Sequence, residues 1–257
     1  DAVIFVKNNI SDLDGESLEN ITTSAINLTD VFDADMSETM RGISALMTNF
    51  NIDAGTAIDF LVSGTQNGLD KTQELGDNIT EYSGKFAQAG YSTKEYFQLL
   101  QNGLSGGAYT LDKVNDAINE VTNQLADPGF EIDIFSAKTQ ELFAAWQNGE
   151  ATQKQVIDSI VADINGCTNQ QEALNMATTA FGTMAEDGGL KFIQSMTSVG
   201  TTYDDITGKA AALGEATTTP MQKLQAALNQ VKLAFAPLGE TLLNMAAEIL
   251  PPFTAAV

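Results

Sequence analysis

Leu18, Ile21, Ala25, Leu28 and Phe32 step along the chain by three and four residues. Met36, Met40, Ile43, Met47 and Phe50 do the same, as do Leu111, Val114, Ile118, Val121 and Leu125, and again Met221, Leu224, Leu228, Val231, Phe235 and Leu238. Steps of three and four gather side chains on one face of an α-helix. Four such stripes predict amphipathic helices that bury one face against their neighbours. The expected fold is all-α: a compact bundle of about ten short-to-medium helices with glycine-terminated helix–turn–helix connections and at most minor strand content.

Start and stop signals agree with that reading. Ser92-Thr93-Lys94-Glu95 and Thr152-Gln153-Lys154-Gln155 fit the capping box, in which a hydroxyl and a carboxylate or carboxamide satisfy free helix N–H groups reciprocally. Thr110 is placed to cap a helix beginning at Leu111, and Thr219-Pro220-Met221-Gln222 puts proline at a first helical position. The tripeptide Gln-Asn-Gly occurs three times, ending at Gly68, Gly103 and Gly149, each time after an apolar run. A glycine without a Cβ readily takes the left-handed conformation that closes a helix. The three copies therefore read as helix stops, with Asn67, Asn102 and Asn148 at the last polar position. Their spacings are uneven, which favours reuse of one stop signal over a regular solenoid.

Extended structure has two short candidates, residues 2–6 (AVIFV) and 130–134 (FEIDI), the second following the loop signal Asp127-Pro128-Gly129. That loop and the small polar run at 214–220 divide the chain into an N-terminal helical lobe, 1–128, a second helical lobe, 129–216, and a C-terminal amphipathic helix segment, 217–257, leading to the rest of a longer chain. Asp1 in place of an initiator methionine points the same way. Residues 233–257 carry Glu240, Glu248 and three prolines, which suits a packed or interfacial helix better than a membrane span.

The chemistry open to the chain is narrow. Twelve Lys and Arg face 34 Asp and Glu, a net charge of −22. Such a surface repels nucleic acid and anionic lipid headgroups and suits a basic partner, so no direct nucleic-acid binding is expected. There is no histidine, which removes His-dependent triads and HExxH zinc sites. The single cysteine, Cys167, has no partner for an internal disulfide; it lies in an apolar-periodic stretch and reads as a buried thiol rather than a reactive one. In SDLDGESLEN, a calcium loop turning at Gly15 would use Asp12 and Asp14, but Ile10 and Ile21 fall on the first and last ligand positions. DVFDADMSE clusters oxygens without the turn glycine. Glu186-Asp187 and Asp204-Asp205 are adjacent pairs rather than carboxylates opposed across a cleft. Tyr82, Tyr91, Tyr96, Tyr109 and Trp146 lack the basic neighbours of a base-stacking surface. Met36, Met40 and Met47 read as core packing. No residue is assigned a catalytic, cofactor-binding or metal-ligating role, no cofactor is implied, and the chain is read as binding rather than reacting.

The succession 38–70 (ETMRGISALMTNFNIDAGTAIDFLVSGTQNGLD), 77–121, 180–189 (AFGTMAEDGG) and 217–257 resembles the phage tail tape measure protein family, most specifically at 81–120 and 181–189. The resemblance implies a structural domain involved in tail assembly, length determination and genome delivery. It implies residence in the virion, in the tail tube lumen or at the tail tip. The implied partners are tail tube and tail-tip proteins, tail assembly chaperones during assembly, further copies of the chain, and the host membrane during delivery. A ruler segment is a long unbroken helix rising about 1.5 Å per residue. The 21 glycines and repeated stops point instead to a compact domain of such a protein. An acidic all-helical interaction domain of a bacterial surface or secreted protein shares the same composition and is the alternative.

Overall fold

A computed structural model describes residues 2–10 and 15–217. Among them the apolar stripes coil into eleven α-helices and form no strand. In order these are α1 (Ala2–Asn9), α2 (Gly15–Phe32), α3 (Met36–Phe50), α4 (Ala54–Gln66), α5 (Leu75–Ala89), α6 (Thr93–Gly106), α7 (Leu111–Ala126), α8 (Ala137–Gln147), α9 (Gln153–Gly166), α10 (Gln170–Ser195) and α11 (Lys209–Thr217). A single 3-10 turn, Ile132–Ile134, precedes α8. Contacts gather residues 1–214 into one unit, and Glu215–Val257 falls outside it. The stripe at 221–238, the proline-led start at 219–222 and the segment 217–257, apart from Thr217, lie outside the described residues.

Three stripes do what their spacing predicts. Ile21, Ala25 and Leu28 of α2 are buried; so are Met40 and Ile43 of α3, with Met36, Met47 and Phe50 packed at the core's edge. All five positions of the α7 stripe are buried. Met40 is a core residue, and Met36 and Met47 pack against the core. The N-caps are also as read: Ser92 and Thr152 each complete a capping box, and the Thr110 hydroxyl accepts the Lys113 N–H. Asp35 and Asp53 cap α3 and α4 in the same way.

Two Gln-Asn-Gly copies are stops. Gly68 and Gly149 have φ of 83° and 76°. Their N–H groups bond Thr65 O and Trp146 O, and the next N–H in each case reaches one residue further back, Leu69 to Gly64 O and Glu150 to Ala145 O. That pair of bonds closes the last turn and satisfies the orphan carbonyls. Gly103 differs. Helix α6 runs past it to Gly106 and closes at Gly107 (φ 122°). Gly103 sits instead where α6 crosses α7; a Cβ there would lie 2.7 Å from Val114 Cγ2. Close helix approach, not termination, explains this glycine.

Neither extended candidate forms a strand. Residues 2–6 lie in α1, with Val6 buried and Val3 and Ile4 exposed. Residues 130–134 pass from a turn into the 3-10 turn: Gly129 N–H donates to Asp127 Oδ1 at 2.7 Å, Ile132 N–H to Phe130 O and Phe135 N–H to Ile132 O. The backbone is satisfied locally, and no neighbouring strand exists among the described residues to reward extension.

Packing centres on two crossings. Helix α3 lies along α5, and α10 lies across α7, α9 and α6. At the first crossing Gly42 and Gly76 face each other; a Cβ on Gly76 would stand 2.5 Å from Glu38 O and one on Gly42 3.2 Å from Gly76 Cα. A ring cluster fills the space beside it, with Phe86 and Tyr96 centroids 4.3 Å apart and Phe60 and Phe97 5.1 Å apart. Gly76→Ala is expected to force the backbones apart and to lower stability by about 1–3 kcal/mol. Gly166→Ala, whose Cβ meets nothing within 4 Å, is expected to stay within about 0.5 kcal/mol of the parent. Urea unfolding of the two variants checks the contrast.

Candidate functional surface

Between α10 and α11 the chain runs from Met196 to Gly208 without a helix, and side chains of α4 and α6 strap it down. Asn102 Nδ2 donates to Thr197 O at 2.7 Å and Val199 O at 3.0 Å. Gln98 accepts the Thr202 N–H at 3.0 Å while its own amide steadies Asn102 at 2.9 Å. Buried Tyr203 sets its ring 5.5 Å from Phe97 and donates its hydroxyl to Gln101 at 3.2 Å. Asp59 accepts the N–H groups of Gly208 and Ala210, both at 2.8 Å, at the start of α11. Lys94 pairs with Asp204. Gln101 and Asn102 of the second Gln-Asn-Gly copy are thus anchors for a segment about a hundred residues away, a role that local pattern does not reveal.

A second tie joins α6 to α9. Lys154 Nζ lies 3.0 Å from Glu95 Oε1 and 2.7 Å from Asp158 Oδ2, and 5.8 Å from the centre of the Tyr91 ring. Burial works against the lysine's charge, but its hydrogen bonds to Asp158 and Glu95 more than offset this and raise its pKa. Burial likewise opposes the Glu95 charge; the Ser92 N–H and Lys154 outweigh it and lower that carboxyl's pKa. The Tyr91 hydroxyl is buried without a protein partner, and burial pushes it well above the ordinary phenol range, so it stays neutral. A third tie, Asn115 to Asn78 at 2.5 Å and Asn78 to Asp112 at 2.7 Å, links α7 to α5.

The periphery differs from this tied interior. Helix α8 buries only Thr139, which bonds Ser159 at 2.7 Å and Asp163 at 2.6 Å on α9. Its Leu142, Phe143 and Trp146 are half-buried, as are Phe130, Ile132 and Ile134 before it. Phe130 and Phe143 have centroids 5.8 Å apart, and Phe143 and Trp146 5.7 Å. The sequence signal for this run of rings is Phe143 and Trp146 at helical spacing after FEIDIF.

Several of the clustered acids have partners within the fold. Asp187 pairs with Lys113 at 3.2 Å. Asp33 accepts from Gln73 at 3.2 Å, and Asp35 is the α3 cap. Residues 11–14 of the first calcium-like stretch lie outside the described residues. Cys167 is half-exposed rather than buried: it follows the last buried position of the α9 stripe, Ile164, and its thiol donates to Asn169 O at 3.3 Å. Among the described residues no group of three Cys, Asp or Glu side chains gathers as a metal would require. Clefts of about 620 and 610 Å³ open beside Met47 and beside Asn119; the first lining holds one carboxylate, Asp53, and the second none.

Side chains committed to tying helices and loops together define a helical structural body. The family model of phage-related minor tail proteins matches residues 5–182, more than half of the chain. The chain belongs to that family, and is a structural protein of the phage tail with its place in the virion. No curated protein and no solved structure matches it. The family agrees with the sequence resemblance at the level of the tail. In space, the two most specific stretches of that resemblance meet: Lys113 reaches Asp187, and Gly182 lies against Glu120.

Asn102→Ala is expected to free the strap. Amide hydrogen exchange at 197–203 should rise by about tenfold or more while the α3–α5 core keeps its protection. Glu95→Gln is expected to lower the melting temperature near neutral pH. A depressed carboxyl contributes stability above the ordinary carboxylate range and loses it as pH falls through the folded value, so the difference between parent and variant should shrink below about pH 4. Thermal melts of both proteins down to about pH 3 check this.

Proposed function

We propose that this chain is an internal, non-enzymatic domain of a tail tape measure protein, acting in tail assembly and length determination and in genome delivery. The observation that carries the reading is family membership over residues 5–182, a span that takes in the stretches at 38–70 and 77–121 by which the sequence resembles tape measure proteins. The physical character fits the role. A body with charge −22 is repelled by DNA and by acidic walls, and is held in a tube only where the wall is basic or packing is specific. On this reading the chain lies in the tube lumen or at the tail tip. It meets tail tube and tail-tip proteins and further copies of itself, and assembly chaperones before that. Residues 217–257 lead into the rest of a longer chain, and the stretch 233–257, outside the described residues, is the part that meets the host membrane. No described helix is long and apolar enough to cross one.

An in-frame duplication of residues 36–126 in the phage is expected to lengthen the tail, by at most about 1.5 Å per added residue. Electron microscopy of the particles reads the length. Intact tails of parental length carrying the duplicated chain would overturn the part in length determination.

A further inference from the structure

The strap between α10 and α11 runs antiparallel to α6. Asp204 meets Lys94, Thr202 meets Gln98, and Val199 and Thr197 meet Asn102. Between them Gly200 lies so close to the Gln98 amide that a Cβ there would clash, and Tyr203 turns inward, its ring 5.5 Å from Phe97 and 6.5 Å from Phe60. The anchors are thus spread along the strap rather than across it. Past the strap, Asp59 of α4 holds the Gly208 and Ala210 N–H groups, both at 2.8 Å, and α11 lies along none of the other described helices. The other end of the strap is built differently. Met196, Phe192 and Ile193 are buried, Asn165 donates to Gln194 O at 3.0 Å, and α10 packs against α6, α7 and α9. A pull that arrives through α11 therefore loads the anchors one after another, 208–210 first and 197 last. Bonds loaded in turn give way at lower force than bonds that share a load, and at α10 many contacts share it.

We propose that residues 197–214 form a latch opened by tension: a pull on the chain from its C-terminal side peels α11 and then the strap off α4 and α6, and stops at Met196 with the rest of the bundle folded. Lifting Tyr203 bares the side of Phe60 and Phe97 that its ring had covered. Chain tension is thereby converted into exposure of an aromatic site. The inference rests on this packing alone and does not require the tape measure reading.

Force spectroscopy of the full chain tests this. Cys167→Ser removes the native thiol, and handles are attached through Glu81→Cys on α5 and Ala216→Cys, both exposed positions. The expected first event is a separate step that releases at most about 70 Å of contour, the roughly 20 residues from 197 to 216, before the bundle yields. Handles at Glu81→Cys and Lys138→Cys leave the strap outside the load path, and with them the step is expected to be absent. At constant force Asp59→Ala, at the end where the peel starts, is expected to speed the first step by about tenfold. Asn102→Ala, at the far end, is expected to speed it by less than about twofold. Circular dichroism confirms that both variants keep their helices. A single rupture of the whole chain, a first step longer than about 70 Å, or the same step with handles at 81 and 138 would overturn the proposal. So would equal acceleration by the two variants, which would mean that the segment does not peel from its C-terminal end.

Discussion

Helices of this fold approach one another most closely where one partner gives up its side chain. A Cβ at Gly42 or Gly76 would press on the facing backbone, one at Gly64 would stand 2.9 Å from the Phe97 ring, and one at Gly103 would strike Val114. Helices of 13 to 16 residues, as α3 to α7 are, hold little stability alone and depend on the faces they bury. Bringing backbones together at a glycine lets the large side chains on either side interdigitate, and so lets short helices bury Phe86, Phe97 and Tyr96 almost completely. Phe97 of the ring cluster packs directly on one of those glycines, Gly64.

The acidic composition sets a second condition. With 34 acids and 12 bases, cations are scarce. Arg41 joins α3 to Asp77 of α5, Lys94 joins α6 to Asp204 of the strap, Lys113 joins α7 to Asp187 of α10, and Lys154 joins α9 to Glu95 of α6. Each of these pairs crosses between elements that are distant in sequence. An exposed ion pair contributes little by itself. Here each also neutralises an acid that would otherwise add to self-repulsion of the folded body. Glu131, Asp133, Glu141 and Glu150 around α8 carry no ion pair.

What was legible in the sequence was local. Helix periodicity, the capping boxes at Ser92 and Thr152 and the left-handed glycines at 68 and 149 each follow from a few adjacent residues, and each is found. What was hidden depends on contact across the chain. Gly103 repeats the stop motif yet serves a crossing with Val114, because the helix carries on to a second glycine signal at 106–107. The β-like patterns at 2–6 and 130–134 have no strand to pair with among the described residues, and so resolve into helix and 3-10 turn. Cys167 keeps the spacing of its stripe, three residues after Ile164, but α9 ends at Gly166 and leaves it in the extended C-cap position, half-exposed. The pairing of Asn102 with the carbonyls of 197 and 199 has no sequence signature, since a carboxamide that anchors a distant loop looks the same as one that ends a helix.

Helix α10 shows why this part of the chain is a body and not a rod. Straight, its 26 residues would rise about 39 Å. It is broken at Gly182 (φ 48°) and again at Gly189 (φ 75°), conformations that a residue with a Cβ rarely adopts. The breaks turn it so that one helix reaches α9, α7 and α6. Gly182 lies against Glu120, Asp187 against Lys113, and Asn165 of α9 donates to Gln194 O at 3.0 Å. The longest unbroken helix among the described residues is then α2, with 18. Distance along this region is therefore fixed by side-to-side packing rather than by helical rise. Any lengthening of the particle by it in the folded state must be smaller, residue for residue, than that of a continuous helix, and equality with the helical rise would mean that the crossings at Gly76 and Gly103 had been pulled apart.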